Sequence, residues 1–144
     1  MKTDTDCTFP KKMRLSSRKE IESLFSGAGS FIVGPFRVFY RAFRMKENYP
    51  APCSMTIAVP KKHIRSAVKR NLIKRRTRES FRLHYARLLK PALTGSGTRL
   101  IFLCIYLPHE VKPFDLLETK MQVLLEHFSK MLEKGFDLSP DPAG

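Results

Sequence analysis

The densest concentration of charged side chains lies between Lys61 and Lys90. Twelve Lys and Arg stand there against one acid, Glu79, so this stretch holds +11 of the chain's formal +14. Such a segment can do one kind of chemistry well. It can neutralise a polyanion, because Lys and Arg that pair with phosphates release condensed counterions. Hydrolytic chemistry has no comparable residue set. The four histidines, His63, His84, His109 and His127, fall at no spacing that proposes a metal ligand set or a nucleophile–base pair. The carboxylates are scattered, without the paired acids that would hold Mg²⁺ for phosphodiester hydrolysis, and no P-loop or G-x-G-x-x-G is present. Cys7, Cys53 and Cys104 are far apart and odd in number, which favours reduced thiols over a disulfide or a zinc site.

The basic stretch must be carried by a helix. Pro60 closes a strand because it cannot donate to a ladder. Ser66 is a candidate N-cap, and helix is predicted from there to about Lys90. At helical spacing Ile73, Thr77, Phe81, His84 and Leu88 form one stripe, assigned to the core. Asn71, Arg75, Arg78 and Arg82 lie on a different face; Arg65, Lys69 and Arg76 lie on the other flank of the stripe. An ordinary charged surface helix carries acids at i±4 to relieve repulsion. Here Glu79 is nearly alone, which points to an absent anionic partner. His84 reads as a packed residue and His63 as an exposed one among lysines.

The other elements frame that helix. Residues 1–10 are polar. A first helix is predicted from about Ser16 to Ser26, with Ser17 and Glu20 at capping-box distance and Ile21, Leu24 and Phe25 as its apolar face. Strands are predicted over 30–34 and 36–44, broken at Gly34-Pro35. The second alternates Phe36, Val38, Tyr40 and Ala42 with Arg37, Phe39, Arg41 and Phe43. The latter face reads equally as a single-strand platform, bases on aromatics and phosphates on cations, or as an edge strand protected by charge. Residues 45–53 read as loop and 54–59 as a short strand. After the basic helix, 91–97 reads as loop. Residues 98–107 form an almost unbroken apolar run, as for a central strand covered on both faces. Pro113 opens a final helix to about Lys134, with Leu116, Leu117, Met121, Leu124, Leu125, Phe128 and Leu132 as its stripe. The expected order is αβββαβα in one α+β domain, a length sufficient for a real core. No apolar run approaches about 20 residues, and no signal-peptide pattern is visible. The expectation is a cytoplasmic protein without a membrane partner.

The run Pro60-Lys61-Lys62, followed by Ala67-Val68, Arg70-Asn71, Lys74-Arg75, Arg78-Glu79 and Phe81-Arg82, resembles the signature of the protein subunit of bacterial ribonuclease P. The resemblance covers roughly residues 9–134, leaving 1–8 and 135–144 as mobile tails. It implies a single-domain sandwich with a left-handed βαβ crossover, like the second domain of a small-subunit ribosomal protein. It implies two partners, the ribonuclease P RNA subunit and the 5′ leader of precursor tRNA. Catalysis and Mg²⁺ would belong mainly to the RNA, with no catalytic or metal-binding residue in the protein. Lys61, Lys62, Arg65, Lys69, Arg70, Asn71, Lys74, Arg75, Arg78 and Arg82 match the motif region and are expected to face RNA. Phe25, Val38 and Tyr40 match the family's leader cleft, and Ile21 falls where Phe is usual. Leu72 stands where the family commonly has Arg. Phe9, Lys12 and Arg14 follow the family's N-terminal pattern only loosely. The alternative is a general single-stranded or ribosomal RNA-binding protein, which would treat precursors with and without a leader alike.

Overall fold

The computed structural model describes residues 18–25, 29–46 and 51–135. It contains α1 (Arg18–Ser23), β1 (Gly29–Val33), β2 (Phe36–Arg44), β3 (Cys53–Ala58), α2 (Ala67–Leu88), α3 (Lys90–Ser96), β4 (Thr98–Tyr106) and α4 (Phe114–Lys134). The four strands form one sheet in the order β1-β2-β4-β3. β1 and β2 are an antiparallel hairpin turned at Gly34, whose φ of 54° suits a residue without Cβ. β2 runs antiparallel to β4, and β3 runs parallel to it. A parallel neighbour requires a crossover, and α2 with α3 supplies it.

β4 is central, as its apolar run predicts, and every residue but Ile105 is buried. Its alternate side chains feed two cores. Leu100, Phe102, Cys104 and Tyr106 join Phe36, Val38 and Ala42 of β2 and the apolar faces of α2 and α4. Ile101 and Leu103 face the other way, with Phe43 and with Leu24 just beyond α1. The molecule is therefore layered, with α2, α3 and α4 on one side of the sheet and α1 on the other. Because β2 lies between β1 and β4, its charged face does not protect an edge, and that reading of the alternation is removed.

One element departs from the expected order. Residues 91–97 are not a loop: Lys90–Ser96 is a short helix, so the order is αβββααβα. Leu89 leaves helical geometry at φ −124°, ψ −41°, yet its N–H still bonds the Tyr85 carbonyl. Pro91 then falls in the first turn of α3, where a missing N–H removes no helical bond. Buried Leu93 holds the turn down, and Gly97 ends it at φ 64°. The buried stripe of α2 is also slightly rotated. It comprises Ile73, Thr77, Ser80, Phe81 and Tyr85, while His84 sits at the flank. There His84 Nε2 lies 2.9 Å from Glu118 of α4. The start of the first helix, including Ser17, and the expected tails apart from Gly135 lie outside the described residues. Among the described residues, no helix is long and apolar enough to cross a membrane.

Cys53 and Cys104 are free and fully buried in the larger core. Burial pushes both thiols well above the usual range, so each stays protonated and unreactive. Iodoacetamide at pH 8 should therefore label neither residue in the native protein and both after denaturation, as read by peptide mass spectrometry. Rapid native labelling of either one would contradict its place in the core.

Candidate nucleic-acid interface

The basic helix is anchored along one stripe and leaves cations on its remaining surface. Ser66 caps it, its hydroxyl accepting from the Lys69 N–H at 3.2 Å, and there is no acid in the first turn. Lys61, Lys62, Arg65, Lys69, Asn71 and Arg75 are exposed, and Arg70, Lys74, Arg78 and Arg82 are half-buried. Among the described residues, the side chains of Lys61, Lys62, Arg65, Lys69, Lys74 and Arg75 form no ion pair. That is the arrangement expected of groups that await phosphates.

Several arginines of this helix have structural partners; Arg87, for one, lies 3.1 Å from His84 Nδ1. Arg70 donates through Nη1 to the carbonyls of Ile64 (3.0 Å) and Arg65 (2.8 Å), fastening the 60–66 loop to the helix. This clamp engages a guanidinium that the motif expects to face RNA. Arg82 is paired with Glu79 one turn back, its Nε donating at 2.7 Å. Arg76, on the other flank, donates to the Lys112 carbonyl at 3.0 Å and ties α2 to the loop before α4. Leu72, where Arg is common in the family, is half-buried and lines a surface groove with Arg75, Arg76 and Phe114.

The four residues expected to form a leader cleft do not lie together. Val38 is completely buried in the larger core and has no surface to offer. Tyr40 is on the same side of the sheet, with ring centroids 5.6 Å from Phe31 and 5.4 Å from Phe128 of α4. Its ring also lies directly on Gly29, where an added Cβ would come within 2.4 Å of it. Ile21 and Phe25 belong to the opposite side, around Phe39. The cause is the two-residue period of a strand: positions 38 and 40 cannot share a face with 39.

The side that carries Ile21 and Phe25 has an open trough. α1 covers only part of it, where Leu24 packs with Phe43, Ile101 and Leu103. Arg41 reaches the Ser23 carbonyl at 3.3 Å, and Arg99 reaches the Glu20 carboxylate at 3.1 Å, fixing α1 in place. Beyond α1 the sheet register sets out two rows. Ser30, Phe39, Leu103 and Thr56 form one, and Ile32, Arg37, Ile105 and Ala58 form the next. Phe25 is 59% exposed and lies 5.5 Å from Phe39, and Ile32 is 64% exposed. The Arg37 guanidinium stands 5.1 Å from the Phe39 ring centre, a cation–π distance. Lys61 and Lys62 follow within four residues of Ala58. Exposed aromatics beside cations suit unstacked bases and their phosphates. The alternation Arg37, Phe39, Arg41, Phe43 carries this signal in the sequence; of those four Arg37 is exposed, Phe39 and Arg41 are half-buried, and Phe43 is buried.

Many acids among the described residues lie against basic side chains. Glu20 faces Arg99, Glu22 faces Arg18, Glu79 faces Arg82 and Glu110 faces Lys112, and Glu118 is in hydrogen-bond contact with His84. No group of three or more His, Cys, Asp or Glu side chains converges among the described residues.

A family model described as Ribonuclease P matches residues 9–130. The chain belongs to the ribonuclease P protein family. The ribonuclease P protein component of Porphyromonas gingivalis is 37% identical over 112 residues, covering 78% of this chain and 80% of that protein. Two solved structures share the fold. The ribonuclease P protein of Thermotoga maritima superposes with a TM-score of 0.61 at 23% identity, over 79% of this chain and 96% of that one. That of Staphylococcus aureus gives 0.59 at 20%, over 81% and 94%. The motif Arg70-Asn71 and the cations after it therefore sit on α2 of a ribonuclease P fold, and the aromatic trough sits across the sheet from α2.

Proposed function

We propose that this chain is the RNA-binding protein component of a cytoplasmic bacterial ribonuclease P. The unpaired cations of α2 dock on the catalytic RNA, and the Phe25–Phe39–Arg37 trough holds the single-stranded 5′ leader of precursor tRNA. The RNA subunit holds the catalytic Mg²⁺ and cuts the leader, while this chain positions it. The observation that carries the proposal is the pairing of two unlike surfaces on one rigid sheet: a helix with unneutralised Lys and Arg, and an exposed aromatic–basic trough. Each suits a different state of RNA, the first a phosphate backbone and the second splayed bases.

Reconstitution tests it. The purified chain should leave precursor tRNA intact alone and stimulate cleavage by a bacterial ribonuclease P RNA at low Mg²⁺. Absence of stimulation with any such RNA would count decisively against the proposal. Equal affinity for precursors with and without a leader would instead favour a general RNA-binding protein.

Phe39→Ala should weaken binding of a leader-bearing precursor by about 1–3 kcal/mol if a base stacks there, with little change for mature tRNA. Tyr40→Ala should lower thermal stability without that selectivity. Selective loss from Tyr40→Ala and none from Phe39→Ala would put the leader on the other side of the sheet.

A further inference from the structure

Tyr106, the last residue of β4, holds two loops at once. Its carbonyl accepts a hydrogen bond from His63 Nδ1 at 3.0 Å. Its hydroxyl donates to the Glu110 carbonyl at 2.7 Å and accepts from the Lys112 N–H at 3.0 Å. Tyr106 is fully buried, so both loops hang from the core. The first loop is fastened again at Pro60, whose carbonyl accepts from the N–H groups of His63 and Ile64, and by the Arg70 clamp. The rings of His63 and His109 are thereby brought to 4.3 Å between centroids, tilted by 40°.

A pocket of about 500 Å³ opens beside this pair, lined by the two histidines, Ile64, Val111, Arg65 and Lys69. Its size falls within the roughly 300–1,000 Å³ usual for small-ligand sites. The chemistry is mixed in a specific way. His109 is an exposed aromatic ring, Ile64 and Val111 are apolar walls, and Arg65 and Lys69 are cations without ion-pair partners among the described residues. The acid at the rim, Glu110, is hydrogen-bonded to Lys112 at 2.7 Å, which with the Lys112 charge holds its carboxyl below the usual range. It does not stand unpaired against an anion. The bond to a carbonyl places the His63 proton on Nδ1, so the neutral ring presents Nε2 as an acceptor.

We propose that this pocket takes one unstacked nucleotide of a bound RNA. The base lies against His109, a base or ribose donor reaches His63 Nε2, and the phosphate meets Lys69 and Arg65. An aromatic surface, an acceptor and cations around a preorganised hollow are what a splayed nucleotide requires. The inference rests on the RNA-binding reading above, but the site is separate from the trough. It lies where the 60–66 loop meets the 107–111 loop, not on the open side of the sheet. The nucleotide could belong to the catalytic RNA or to the precursor, and the same measurement separates them.

The experiment is equilibrium binding across a salt series to two probes, a bacterial ribonuclease P RNA transcript and a leader-bearing precursor tRNA. His109→Ala should weaken one or both by about 5- to 150-fold, as expected for a lost base stack, without changing the salt slope. Lys69→Ala should make the slope shallower by about one unit. His109→Phe should restore the affinity, because stacking is kept. The probe that responds names the source of the nucleotide. Wild-type protein that binds neither probe removes the RNA-binding reading itself and this site with it. Wild-type binding with His109→Ala within about twofold on both probes, or His109→Phe no better than His109→Ala, overturns the pocket alone.

Discussion

Replacing Lys69, Lys74 and Arg75 together by alanine should weaken binding to a ribonuclease P RNA by about two to three powers of ten near 0.1 M salt. Each phosphate contact contributes about 0.7–0.9 to the slope of log affinity against log salt. Three contacts then account for about two to three units of slope and a similar loss in log affinity at that salt. The fold should not suffer. None of the three side chains forms an ion pair among the described residues, and removing them relieves repulsion along a helix with no acid in its first turn. Thermal denaturation should show a melting temperature equal to or above that of the wild type. Arg70 is left out because its guanidinium holds the Ile64 and Arg65 carbonyls, so its loss would mix loop disorder with lost charge. Arg82→Ala is the internal comparison. Its partner Glu79 already offsets its charge, so it should lose less affinity than Lys74→Ala. A large loss of affinity at constant salt slope would show that these groups do not meet phosphates.

The basic helix, the central strand and the apolar stripe of α4 were legible because each is a period written in residue type. Ile73, Thr77 and Phe81 repeat at helical spacing, and residues 100–106 are apolar without interruption. α3 was not legible: Pro91, Gly95 and Gly97 are loop residues by composition, and only the burial of Leu93 explains why they turn as a helix. In the site, the cations of α2 were readable because charge density needs no tertiary knowledge. The trough is written in the alternation of β2, and Val38 and Tyr40 have the parity opposite to Phe39, so they lie on the other face from Ile21 and Phe25. The His63–His109 contact had no sequence signal. It depends on Tyr106 joining two loops that lie 46 positions apart (109 − 63).

The other large effect concerns a contact equally hidden from the sequence, the ion pair of Glu20 and Arg99. Glu20→Ala should cost about 3–5 kcal/mol of stability, because it removes the Glu20 carboxylate from a buried guanidinium. Arg99 is 1% exposed and Glu20 7%, so solvent cannot take over the lost partner. Arg99 also donates to the Ala51 carbonyl, which binds the segment before β3 to the same centre. A domain is stable by about 5–15 kcal/mol in total, so the variant should melt far below the wild type. The double variant Glu20→Leu/Arg99→Met should recover much of this, since apolar groups of similar volume often replace a buried pair without net loss. The functional consequence runs through α1. Glu20 is one of the links that seat this helix on the sheet, beside Arg41 on the Ser23 carbonyl and buried Leu24, and Phe25 follows it over Phe39. At a temperature where Glu20→Ala is still folded, it should therefore lose preference for a leader-bearing precursor while its affinity for the catalytic RNA stays near wild type, because α2 lies on the other side of the sheet. Urea denaturation measures the first effect and paired binding assays the second. Loss of both RNA affinities in parallel would mean that the two sides of the sheet unfold as one unit and that the trough is not separately supported by α1.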